Sequence, residues 1–417
     1  MKILKKAAAL ALLTVLPLGA AGCGTAGRQP IELTEPAGAG EVPSGETPKL
    51  DGAFEEGSAD FAVSLLKNSA DTEKNFMVSP LSVQLALAMT ANGADGATKK
   101  QMEQVLCGGM DIDTLNRCCK LYTDGLADTQ NTRFSIADSI WIRDGFDVSG
   151  DFLKTNSAFY DASVYKAPFD EQTVKDINKW VYDKTHKMID GVIEEIDEDA
   201  VMYLINAVAF DAEWQEIYEE SQIRKSTFTE ENGKQYERDM MFSEENYYLE
   251  DDMATGFMKN YLDGYAFVGL LPKEGVTVDE YIASLDGGNF LKMLQNKKNT
   301  SVDAGLPKFE SEYSAELSEA LSEMGMPAAF DSLQADFSKM NAAMPLYVGA
   351  VVHKTYINVD ERGTKAGAVT SVEIKCEGAP ETPTERYEVY LNRPFVYAVV
   401  DLNTNLPIFI GAVRSLE

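Results

Sequence analysis

The chain holds two imidazoles, His186 and His353, so any Ser-His-Asp triad must use one of them. Neither is accompanied by a G-x-S-x-G turn that would lift a serine out of a sheet. Ser64-Leu65-Leu66-Lys67 fits S-x-x-K, which on a helix brings a hydroxyl and an amine onto one turn. Its partner motifs S-D-N and K-T-G are missing, and Lys354-Thr355 is followed by Tyr356. No phosphate-cradling glycine loop, dinucleotide fingerprint or zinc-spaced cluster occurs. The acidic run "EEIDEDA" from Glu194 lacks the glycine and the ligand spacing of a calcium loop and reads as a solvated face. The expectation is a protein that is not an enzyme and binds no cofactor or metal.

The cysteines give no redox or metal pattern either. Cys107, Cys118, Cys119 and Cys376 show no C-x-x-C spacing and read as free thiols, with Cys376 in a stretch expected to be exposed. The fifth, Cys23, stands elsewhere. "MKILKKAAALALLTVLPLGAAGCG" has lysines at 2, 5 and 6, an apolar run and then small residues, the pattern of an export signal. Ala20-Ala21-Gly22-Cys23 resembles the bacterial lipobox, in which the cysteine is acylated; an ordinary cleaved signal is the alternative. Either way the chain is expected outside the cytoplasm, lipid-anchored at the outer face of the membrane or secreted, with the lipid as its only membrane contact.

The 27 residues from 24 to 50, rich in Gly, Pro, Glu and Thr and without periodicity, read as a disordered tether with a span on the order of 30 Å. With 37 basic and 67 acidic residues the net charge is −30, which repels nucleic acid and anionic lipid. A hydrophobic fraction of 45% in 417 residues supports a sizeable core.

The elements come in two blocks. Phe54, Phe61, Val63, Leu65 and Leu66 at helical spacing predict a helix over 52–70. A second starts at Pro80 after Ser79 and stops at Asn92-Gly93. "RFSIADSIWIRDG" alternates as a strand, and "VKDINKWVYDKTHKMIDGVI" reads as an amphipathic helix that contains His186. Strands follow in "AVMYLINAVAF", "GYAFVGLLPK", "SVDAGLPKF", "LYVGAVVHKTYINVD", "PFVYAVVD" and "LPIFIGAVR". Helices first and strands later predict an α+β domain over 51–417; the alternative is two subdomains divided near Phe242.

Several blocks then resemble one family in order. They are "NFMVSPLSVQLALAMTANGADGATKKQM", "INKWVYDKTHKMI", "LINAVAFDAEWQ", "FVGLLPKEG", "LPKFESEYSAELSEALSEMGMPAAF", "VVHKTYINVDERGTKAGAVT" and "RPFVYAVVDLNTNLPIFIGAVR". Past residue 50 the chain resembles a serpin. The resemblance implies three sheets, eight or nine helices and a reactive loop near the C-terminus. It implies a buried polar cluster of Ser79, Ser82, Asn206 and His353 beneath the main sheet, and Trp214 where the loop first enters. The hinge would be Glu361, Gly363, Thr364, Ala366, Gly367 and Ala368. Gly367 stands where the family more often has alanine.

The loop residues fit a strand in waiting. Thr364, Ala366, Ala368, Thr370, Val372 and Ile374 share one face, small at first and then apolar; the other face is mostly polar. Fourteen residues from Thr364 to Glu377 would extend over roughly 45 Å. The family's count puts the bait bond at Glu377-Gly378, with Cys376, Lys375 and Ile374 as alternatives if the register shifts. These imply a glutamyl-specific, elastase-like or trypsin-like serine protease as partner, captured covalently by a monomeric inhibitor that the reaction consumes. Two other functions stay open: a serpin that does not inhibit, and a solute-binding lipoprotein of a transporter.

Overall fold

The computed structural model describes residues 30–33, 49–50, 52–126, 128–197, 199–364 and 385–416. In chain order its strands are β1 (Ile31–Glu32), β2 (Phe76–Val78), β3 (Thr132–Arg143), β4 (Ser163–Ala167), β5 (Met202–Glu213), β6 (Ile223–Thr229), β7 (Gln235–Glu250) and β8 (Ala254–Asn260). They continue with β9 (Tyr265–Pro272), β10 (Lys298–Pro307), β11 (Phe309–Glu316), β12 (Val352–Val359), β13 (Gly363–Thr364), β14 (Arg386–Tyr390), β15 (Phe395–Asp401) and β16 (Pro407–Val413). The helices are α1 (Gly52–Asn68), α2 (Pro80–Ala91), α3 (Gly96–Cys107), α4 (Ile112–Gly125), α5 (Gly150–Tyr160), α6 (Glu171–Lys184), α7 (Val278–Ser284), α8 (Gly287–Gln295) and α9 (Ser318–Glu323).

One sheet has the order β1-β4-β3-β5-β13-β12-β11. The remaining strands form a path β14-β10-β7-β8-β9-β15-β16-β2, with β6 beside β7. The 16-residue β7 serves two layers: Gln235–Met241 pairs with β6, and Tyr247–Glu250 pairs with β8. Divided there, the strands make the three sheets of an α+β fold.

A core of apolar side chains runs without interruption from α1 and α2 through β7–β10 to β15 and β16. The buried α2 crosses behind the first sheet, while α6 covers its other face over a smaller cluster of Trp141, Ile177, Val181 and Ala207. Strand β3 shows why both faces must be covered. Phe134, Ile136, Ile140 and Ile142 alternate toward the main core, and Ala137 and Trp141 point the other way.

Four expectations change on contact with the structure. Helix α6 ends at Lys184, so His186 lies beyond it with φ of 51° and Lys187 follows at 69°. The chain reverses there because Asn178 accepts from the amides of Val192 and Ile193 and donates to the carbonyl of Ile193, which holds the next segment against the helix. The strand expected over "LYVGAVVHKTYINVD" begins only at Val352. Upstream of it, Val348 donates to Ala329 and the Val351 carbonyl accepts from Leu317, so that stretch bonds to loops rather than to a strand. Within 24–50, Ile31 and Glu32 pair antiparallel with Lys166 and Tyr165 on β4, a strand too short for any periodicity to announce it. Phe242 lies in mid-strand, paired with Gly305 of β10, so no boundary between subdomains passes there.

Candidate functional site

Two strands define the site, β5 and β12. Among the described residues no ladder joins them directly; Gly363 and Thr364 stand between them at one end. Thr364 is opposite Ala212 on β5 and Val359 on β12, and Gly363 is opposite Glu213. Below this pair, Val208, Ala209, Phe210, Tyr356, Ile357 and Asn358 line a cavity of about 20 Å³, capped by Met188 and Ile189 from the segment after α6. That is room for about one water.

The turn that delivers the pair is tightly specified. The Asp360 carboxylate accepts from the amides of Arg362 at 2.7 Å and Gly363 at 3.2 Å, and the Asp360 amide donates to the Gly363 carbonyl at 3.0 Å. This is an Asx turn closing on itself. A Cβ on Gly363 would lie 2.0 Å from the Ala212 carbonyl oxygen, so only glycine fits the approach to β5. Thr364 is buried, and its hydroxyl is hydrogen-bonded to the phenol of Tyr261.

Trp214 closes this end. Its indole N–H donates to the Asp360 carbonyl at 2.9 Å, its amide donates to the Arg362 carbonyl at 2.8 Å, and its ring stacks on Tyr261 at 4.2 Å and 11°. Glu361 pairs with Lys308 at 2.6 Å, and that hydrogen bond holds its carboxyl below the usual range. Both side chains are about one-third exposed, so the pair orients the turn more than it stabilises it. A second ion pair, Lys259 with Glu245 at 2.8 Å, is buried beneath, its ammonium over the rings of Tyr218 and Trp214.

The other polar group lies at the first turn of α2. Ser79 is the N-cap, its hydroxyl accepting from the Ser82 amide at 3.3 Å, and Pro80 fills the first helical position, where a missing N–H costs nothing. The Ser79 amide donates to Nε2 of His353 on β12 at 3.0 Å. The Ser82 hydroxyl donates to the Asn206 side-chain carbonyl on β5. Both strands that flank the slot are therefore moored to one helical turn. His353 must be neutral to accept this bond, and burial pulls its imidazole down to about 4.

The structure thus brings Ser79, Ser82, Asn206 and His353 together under the sheet, and Glu361, Gly363, Thr364 and Trp214 together at the slot's end. Ala366, Gly367, Ala368, the bait candidates Ile374, Lys375, Cys376, Glu377 and Gly378, and Cys23 lie outside the described residues. The sequence reading missed Asp138, Tyr261 and Lys308. Asp138 left a signal: it is a lone acid in the core phase Phe134-Ile136-Asp138-Ile140. Tyr261 and Lys308 left none, since each joins the site only through tertiary packing.

A sequence profile described as "Serpin (serine protease inhibitor)" matches residues 56–416. An uncharacterised serpin-like protein of Thermococcus kodakarensis is 28% identical over 361 residues, spanning 85% of this chain and 84% of the relative. Serpin B11 of Homo sapiens is 27% identical over 394 residues, spanning 87% and 100%. The crystal structure of the thermophilic serpin tengpin in its native state matches with a TM-score of 0.83 at 46% identity, covering 89% of this chain and 96% of that one. Tengpin in its latent state matches with a TM-score of 0.79 at the same identity.

Proposed function

The chain belongs to the serpin family, and from that premise we propose that it inhibits a serine protease as a suicide substrate. The protease serine attacks the bait carbonyl and forms an acyl-enzyme, with the new N-terminus leaving as the amine. The freed segment then enters the first sheet between β5 and β12 before water hydrolyses the ester, and the attached protease is carried away with it. One observation carries this reading: Gly363 and Thr364 already occupy the head of that slot as a strand, antiparallel to both neighbours. The solute-binding reading falls, because family membership and one uninterrupted core replace the two lobes around a cleft that it requires.

We take Glu377-Gly378 as the bait bond, with Cys376 as the nearest alternative, so the favoured targets are glutamyl-specific or elastase-like proteases. On the same reading the chain is exported and acts as a monomer, held to the membrane by lipid on Cys23 or released after cleavage of its signal. Mass spectrometry of the mature N-terminus separates these two fates.

The test of inhibition uses the full chain, because truncation at residue 51 would remove β1. It is mixed with a panel of serine proteases and run on a denaturing gel, and the released C-terminal peptide is sequenced. An SDS-stable band at the summed mass and a peptide beginning at Gly378 are the expected result. Clean cleavage by every protease with no stable band would overturn inhibition. As a control, Thr364→Arg puts a charge into the buried niche beside Tyr261 and should convert inhibitor into substrate.

A further inference from the structure

The mooring of β5 to α2 has a third member that neither the proposed mechanism nor the sequence reading uses. The amide nitrogen of Asn206 donates to Asp138 at 2.7 Å from the neighbouring strand, where the two residues are register partners. Both ends of the Asn206 amide are thereby spoken for, one by Ser82 and one by Asp138, and its orientation toward α2 is fixed. Asp138 is itself 6% exposed, and among the described residues no cation is paired with it. Its contact is the Asn206 amide from β5, and the titratable groups close enough to act on it electrostatically are the Tyr160 phenol from α5, the Cys119 thiol from α4, and the Asp161 carboxylate, which is bound to Lys120. His353, on the far side of the slot, feels burial alone. A buried carboxyl with one amide donor and only neutral or acidic neighbours is costly when ionised and comfortable when protonated.

We infer that Asp138 is a positioning residue for loop insertion, holding Asn206 on the first turn of α2, and that its ionisation loosens β5 from that turn. The inference rests on the insertion mechanism proposed above and deepens it. Parting β5 from α2 breaks the Ser82–Asn206 bond and admits water to the Asn206–Asp138 pair, and water solvates a carboxylate far better than this interior does. The direction follows from linkage. Burial raises the carboxyl to about 7 while the sheet is closed, from an ordinary value near 3.8 once it is hydrated. The closed form therefore binds the proton more tightly. Its advantage is complete below about pH 4, declines by up to tenfold per pH unit, and is gone above about pH 7.

The test is hydrogen exchange at the backbone amides of β5 and β12, measured on the full chain at pH 5 to 8.5 in the wild type and in Asp138→Asn. The ratio of the two proteins at each pH cancels the intrinsic pH dependence of exchange and any contribution of His353. The isosteric amide keeps a partner for Asn206 and removes the titration. The expected wild-type-to-variant ratio rises at least tenfold between pH 5 and 7.5 and then levels. A ratio constant within twofold across that range overturns the proposal, since a merely structural role would shift exchange equally at every pH. Should Asp138→Asn not fold, Asp138→Ser carries the same comparison. Exchange reads the sheet without any protease, so failure to inhibit would sink the inhibitor reading and leave this result standing.

Discussion

His353 and Asp138 titrate in opposite senses within one polar cluster. Burial lowers His353 to about 4 from 6.5, so its contribution to stability is full above pH 6.5 and disappears as pH falls through 4. Burial raises Asp138 to about 7, so its contribution is full below pH 4 and disappears as pH rises through 7. Between about pH 4.5 and 6.5 the two slopes oppose, and the wild-type urea midpoint is expected to be nearly flat. Asp138→Asn should expose the histidine slope, its midpoint rising with pH; His353→Asn should expose the aspartate slope, its midpoint falling. Parallel profiles for all three proteins would refute the assignment. Gly363 makes a steric prediction instead. Alanine there meets the Ala212 carbonyl, which the β3 ladder holds in place, so Gly363→Ala should expel the hinge pair and speed nicking within 360–385 by a non-target protease. An unchanged nicking rate would mean the pair is not seated.

At the scale of elements, the first turn of α2 does double duty as helix cap and as anchor for two strands. Ser79→Ala removes the cap and should cost about 0.5–2 kcal/mol in urea unfolding, as ordinary N-cap losses do. Ser82→Ala leaves the helix capped but frees β5, so it should leave the urea midpoint closer to wild type while raising exchange in β5 more than in β12. Equal effects of the two variants on both strands would contradict separate moorings. This turn also shows what was legible beforehand. Ser79 and Pro80 announce a helix start from local chemistry alone, β3 was readable from apolar alternation, and β5, β9, β15 and β16 were readable as short runs rich in Val, Ile, Tyr and Phe. The end of α6 was not, because the chain turns through the left-handed residues His186 and Lys187 and is then held back against the helix by Asn178, whose side chain bonds to Val192 and Ile193 far along the chain. Nor was β1, whose two residues become a strand only because β4 offers an unpaired edge.

The whole molecule carries a net charge of −30, and association with its target should follow from that. A basic protease is steered toward the chain, so its association rate should fall several-fold from 20 to 200 mM salt, whereas an acidic protease should show the reverse. Stopped-flow rates at the two salt concentrations decide between them. The seated hinge bears on the speed of what comes next. Starting a strand between two others is the expensive step, since it fixes backbone dihedrals and closes a loop before many hydrogen bonds form in return. Here Gly363 and Thr364 already form that nucleus, so under the proposed mechanism a cut in the loop would leave only elongation to follow. Insertion should begin without a lag, its rate set by how quickly successive residue pairs zip downward. Under the proposed mechanism, the contest between trapping and hydrolysis would therefore be weighted toward trapping from the moment the bond breaks.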